Sequence, residues 1–202
     1  NENEKIMMDA IFVSCLDNGI APPSIFTARA SASCGNPLNS AVAAGVLALG
    51  DHHGGAIERS SKLLQESASQ SISAGMLIEK YKKNKERMPG FGHAKYEADP
   101  RAISLLETAK KSGFYGKHVA LALAIEKELE KSSGKKICLN IDGAIAAITS
   151  DMGFDWKVGK GFFIIGRVPG IIAHCIEEIS NEKPYRRLDD SDIEYTGPKP
   201  KV

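Results

Sequence analysis

No apolar run in this chain of 202 residues approaches the ~20 needed for a helix to span a bilayer. No basic-then-apolar leader precedes the first helical pattern, so the expectation is a cytoplasmic chain with no membrane partner. Neither sign of charge dominates, since 26 Lys and Arg stand against 25 Asp and Glu. That balance gives no whole-chain field for nucleic acid or an anionic surface, and any anionic ligand must meet a local cluster of cations. Cysteine is scarce: Cys15, Cys34, Cys138 and Cys175 never fall in a CxxC spacing. They are expected to be reduced packing residues, with no disulfide and no metal. Strand patterns are scarce as well.

What the chain does have is the 3.6-residue period, in segment after segment. Helices are predicted over 5–16, 24–34, 38–49, 56–69, 71–86, 100–111, 117–131, 139–152 and 159–179, the last interrupted at Pro169. Gly19, the pair Pro22-Pro23, and Gly35-Asn36-Pro37 punctuate the first three. Segment 38–49, rich in alanine and apolar all round, should lie buried against other helices at close distance. The tail after Asn181 carries Pro184, Pro198 and Pro200 and should run extended over the surface. The class is all-α.

Three polar islands interrupt this helical pattern. In Gly50-Asp51-His52-His53-Gly54-Gly55 a histidine beside paired glycines precedes a helix. Its ring there is held neutral and can donate to a developing oxyanion, although a plain polar helix start fits equally. In Pro89-Gly90-Phe91-Gly92-His93, followed by Asp99-Pro100-Arg101, the glycines let backbone approach a ligand closely. Arg101 stands there at a helix start, where an anion is welcome. In Leu139-Asn140-Ile141-Asp142-Gly143 the aspartate is either a helix cap or a carboxylate held against apolar neighbours as a general base. The lysine-rich run before Met88 is either a solvated face or a dock for the phosphates of a nucleotide-like ligand.

Taken together and in this order, the three islands resemble the citrate synthase superfamily, and most of all its citryl-CoA lyase branch and the lyase module of ATP-citrate lyases. Asp17-Asn18-Gly19, Gly166-Arg167 and Tyr185-Arg186-Arg187 extend the likeness over nearly the whole chain. The resemblance implies that His53 holds the enol oxygen of acetyl-CoA, His93 polarises the oxaloacetate carbonyl, and Asp142 removes the methyl proton. Arg101, Arg167 and Arg186 would grip substrate carboxylates, with Arg186 reaching into a neighbouring subunit's site. Pro89, Gly90, Phe91 and Gly92 would line the adenine pocket, with Asn140 also on the coenzyme A side. Asn18 stands in the substrate site where relatives often carry histidine; it can donate and accept but holds no titratable charge.

The implied architecture is a homodimer with shared active sites, its protomer a large domain (1–98 and 140–202) with a small domain (99–139) that closes over coenzyme A. The resemblance also implies further residues before the first. No tightly bound cofactor or metal is expected, because coenzyme A arrives as the thioester substrate. The leading reading is a citryl-CoA lyase, with citrate or 2-methylcitrate synthase and a catalytically silent coenzyme A-binding paralogue as alternatives. A separate citrate-activating ligase is a conceivable partner.

Overall fold

The computed structural model describes residues 1–93 and 96–198. Ala94 and Lys95 of the second island, and Pro200 of the tail, lie outside the described residues. Nine α-helices are found among the described residues: α1 Glu2–Cys15, α2 Pro23–Ser33, α3 Leu38–Leu47, α4 Ala56–Ser69, α5 Ala74–Asn84, α6 Pro100–Ser112, α7 Lys117–Ser133, α8 Ile141–Asp151 and α9 Gly159–Asn181. Short 3₁₀ turns lie at Trp156–Val158 and Asp190–Asp192. In place of strands the described residues show isolated bridges, including an antiparallel one between Phe91 and Leu139.

The organising element is α8. Every residue from Gly143 to Ser150 is buried, because a helix that is apolar all round must be enclosed on all sides. Helices α4, α6 and α7 pack directly on it, while α1 joins α6 to α9 and α5 lies on α7. One large core, including Met7, Ile57, Leu64, Ile125, Ile145 and Ile148, runs through these helices. A satellite core of Ile25, Ala28, Ala32, Ala41, Ile171 and Cys175 ties α2, α3 and α9 together.

Capping explains the ends that periodicity misplaces. Helix α1 begins three residues before the predicted start, because Asn1 and Glu4 form a reciprocal capping box. Helix α5 begins at Ala74 because the Ser73 hydroxyl accepts from Met76 N–H, and it ends where Lys85 turns left-handed at φ 56°. Helix α8 begins only at Ile141, since Leu139 and Asn140 are engaged in pairing with the 90–92 loop.

Three further expectations need correction. Pro169 does not interrupt α9, which runs through it; packing on α1, α2, α3 and α4 offsets the one backbone bond that proline removes. Helix α3 is covered on one flank only, where Ala41 and Gly45 are buried, and Leu47 is 85% exposed. The close approach does occur there: a Cβ on Gly45 would sit 2.8 Å from the Ser24 carbonyl oxygen. Cys34 is exposed rather than packed inside, whereas Cys15, Cys138 and Cys175 are buried, and all four thiols are free.

The tightest backbone contact joins the 88–93 loop to α8. A Cβ on Gly143 would overlap the Gly90 carbonyl oxygen and stand 2.6 Å from Leu139 Cδ1. Gly143→Ala is therefore expected to cost about 1–3 kcal/mol by overpacking, lowering the thermal midpoint followed by circular dichroism. Gly75→Ala, at an open position with nothing within 4 Å, should leave that midpoint unchanged or slightly raised.

Candidate active site

The three islands converge. His53, His93, Asp142, Asn18, Arg101, Arg167 and Asn140 line one cavity of about 220 Å³, together with Ser14, Cys15, Asp51, His52, Arg59 and Phe163. A wider hollow of about 560 Å³ opens beside it past Asn18, Pro22, Pro23 and Tyr96, sharing His53, His93 and Arg101. A third, of about 580 Å³, lies beyond His93, walled by Phe91, Gly92, Leu129 and Ile137 with Lys82 and Arg87 at its edge.

Asp142 sits in the first turn of α8 but does not cap it. The cap is Asn140, whose side-chain oxygen accepts from Gly143 N–H at 3.1 Å and whose amide donates to the Gly92 carbonyl at 2.9 Å. The Asp142 carboxylate is thereby left to the cavity. Burial is the largest influence on it and raises it above the ordinary aspartate value of 3.8; Arg101, Arg167 and His93 pull the other way. The helix end also favours the anion, but by only about 0.3–1 kcal/mol, so burial prevails.

His53 lies just before α4. Its Nε2 is 2.8 Å from the hydroxyl of Ser24 on α2, and its ring meets Phe163 edge-on with centroids 5.9 Å apart. Burial first, and the charge of Arg167 second, lower it below 6.5. Both influences favour the neutral ring expected from the sequence pattern. The His93 ring packs on Tyr96, centroids 4.6 Å apart.

The cations differ in what remains available. Arg101 is held by Asp99 through Nε at 3.1 Å and Nη2 at 2.9 Å. Arg167 is 3% exposed, donates from Nε to the Cys15 carbonyl at 2.8 Å, and stacks on Phe163. Its Nη1 is buried without a hydrogen-bond partner, an arrangement that calls for an anionic ligand. Cys15 is no nucleophile, because burial pushes its thiol up to about 11. Arg186 stands apart from this cavity. It forks onto the buried Glu178 at 2.7 and 2.9 Å, which Arg29 also grips at 2.8 Å.

Two supporting residues were not singled out from sequence. Ser24 looks like a helix start and nothing more, yet it is fully buried and orients His53. Asp99 reads as a helix cap, and it does bond Arg101 N–H at 3.1 Å. It also accepts from Ile141 N–H at 3.0 Å, which ties the starts of α6 and α8 together. No spacing rule announces a bond across 42 residues.

Comparison with known proteins finds relatives along nearly the whole chain. A family model described as citrate synthase, C-terminal domain, matches residues 1–188. The chain superposes on the structure of citryl-CoA lyase from Hydrogenobacter thermophilus with a TM-score of 0.95 and 50% identity, covering 100% of this chain and 80% of that one. It is 33% identical to citrate synthase 2 of Bacillus subtilis over 87% of this chain and 46% of that protein. It is 28% identical to a probable ATP-citrate synthase of Dictyostelium discoideum over 91% of this chain and 33% of that protein. The chain thus spans a third to a half of the length of the curated relatives it matches.

The raised Asp142 has a stability consequence. The folded chain binds this proton more tightly than the unfolded chain does, so the group's contribution is fully present below 3.8 and is lost as pH rises through the folded value. Asp142→Asn should therefore melt higher than the parent at neutral pH, with the gap closing in acid. Each kcal/mol corresponds to about 2–4 °C for a chain of this size, which scanning calorimetry across pH resolves.

Proposed function

The chain belongs to the citrate synthase family, and from that premise we propose that it is a citryl-CoA lyase, cleaving citryl-CoA to acetyl-CoA and oxaloacetate. The observation that carries the reading is one cavity that brings together Asp142, raised by burial, His53, lowered by burial, and His93. Half-identity to a citryl-CoA lyase along the whole of this chain supports the lyase over the synthases, to which identity is lower.

In the cleavage direction His93 takes the proton of the tertiary hydroxyl. The carbon–carbon bond breaks, and its electron pair passes into the enolate of acetyl-CoA. His53, neutral and oriented by Ser24, donates to the enolate oxygen; one such donor is worth about 3–4 kcal/mol in the transition state. Asp142 then delivers its proton to the methylene carbon, completing the methyl group. A raised carboxyl suits this step, because the group must arrive as an acid and act as a base in the reverse direction.

Arg167, with its unpartnered Nη1, takes one substrate carboxylate, and Arg101 and Asn18 stand beside it. Coenzyme A enters along Phe91 and Gly92, where Lys82 and Arg87 meet its phosphates, and the 99–139 segment closes over it. Arg186 serves a second copy of the chain in a homodimer.

The test is to supply citryl-CoA and identify the products by mass. Acetyl-CoA with oxaloacetate is expected, whereas citrate with free coenzyme A would make the chain a synthase that owns the hydrolytic step. Untouched citryl-CoA would favour the silent coenzyme A-binding reading. His53→Ala and Asp142→Asn should each lower turnover by about 100-fold or more; full turnover in either would overturn the assignment.

A further inference from the structure

Three consecutive backbone N–H groups lead into the turn that bears Asp142, and each is held by a different part of the fold. Asn140 N–H donates to the Gly90 carbonyl at 3.0 Å, and Ile141 N–H donates to Asp99 Oδ2 at 3.0 Å. Leu139 N–H donates to Glu126 Oε1 at 2.7 Å. The first anchor is backbone of the 88–93 loop, and the second is the residue that caps α6. The third comes from the middle of α7, and with Asp99 it lines a separate hollow of about 350 Å³ bounded by Ala102, Leu106, Leu123 and Leu139. Glu126 does not line the cavity that holds Asp142.

We propose that Glu126 is a positioning residue for Asp142, its carboxylate fixing the Leu139 backbone and with it the start of α8. This inference rests on the reading of Asp142 as the group that exchanges a proton with acetyl-CoA. Leu139 precedes the cap, so its N–H lies outside the helix ladder, and its side chain is buried at 3% exposure. A buried donor of this kind must be satisfied, and a carboxylate acceptor makes a short bond about twice as strong as a neutral one. Without it the 139–140 segment is free to shift, and Asp142 follows two residues later. Reacting groups displaced by about 1 Å lose on the order of 100-fold in rate. Glu126 is not among the largest influences on the Asp142 carboxyl, which are burial and the charges of Arg101, Arg167, Asp99 and His93, so its bond to the Leu139 backbone is the contact to test.

That distinction sets the experiment. Exchange of acetyl-CoA methyl protons into deuterated solvent reports the enolisation half of the site, Asp142 with His53, and the KM for oxaloacetate in the condensation direction reports the other half. Glu126→Ala should slow exchange and kcat by about 10–100-fold while leaving the oxaloacetate KM within about twofold. Glu126→Gln, which keeps an acceptor at the same reach, should restore most of the exchange rate. A wild-type exchange rate in folded Glu126→Ala, or equal losses in exchange and in oxaloacetate KM, would overturn the positioning role. Should the alanine variant fail to fold, Glu126→Asp, one methylene short, carries the test: slowed exchange supports the role and parental exchange overturns it. A parent protein that neither exchanges protons nor cleaves citryl-CoA overturns the functional reading, and this inference with it.

Discussion

The enclosure of α8 is the constraint on which the rest depends. A helix with apolar residues on every side leaves no face for water, so α4, α6 and α7 must surround it. Its flanks being covered, the N-terminal turn is where a polar group can meet a ligand. That turn carries Asp142, and the helices around α8 bring their own loops to the same end. His53 arrives just ahead of α4, and Arg101 sits in the first turn of α6. The site is thus a by-product of how a buried helix is packed, with chemistry placed at its open end.

Holding carboxyl, imidazole and guanidinium groups together in one cavity needs compensation, and the structure supplies it with buried carboxylates. Asp99, whose side chain is fully buried, neutralises Arg101, and despite burial the guanidinium holds its carboxyl below the ordinary aspartate value. Glu178 does the same between Arg29 and Arg186, away from the cavity. Asp151 has no arginine and serves differently: it accepts from the N–H groups of Gly116, His118 and Val119, closing the start of α7 from the end of α8. Asp99 and Glu178 each accept from two or more donors, which favours their ionised forms. For Asp142 burial outweighs the nearby cations and favours the protonated form.

Much of this was legible in the sequence, for identifiable reasons. Helix identities followed from periodicity, and the limits of α4 came out unchanged because Gly55 and the polar Ser69-Gln70 pair bound it. The three islands stood out because glycine, histidine and aspartate cannot belong to an apolar stripe. What sequence could not show was mutual distance. Asp99, Ser24 and Glu126 look like ordinary helix residues, and their roles exist only through partners far along the chain. Pro169 misled for the opposite reason: a strong local signal was overridden by packing on several helices at once. The exposed flank of α3, with Leu47 uncovered, is apolar in sequence whether a neighbouring helix or a second copy of the chain lies on it.

The contact between Gly90 and Gly143 bears on how such a site could change over time. Main chain meets main chain there with no side chain between them, so the gap between the His93 loop and the Asp142 helix is set by covalent geometry. That contact sets how closely the loop and the helix can approach, whatever side chains surround them. The hollows around it are walled by side chains, and drift there can reshape them without altering this contact. Variation in ligand size and preserved chemistry are, in this architecture, separately adjustable.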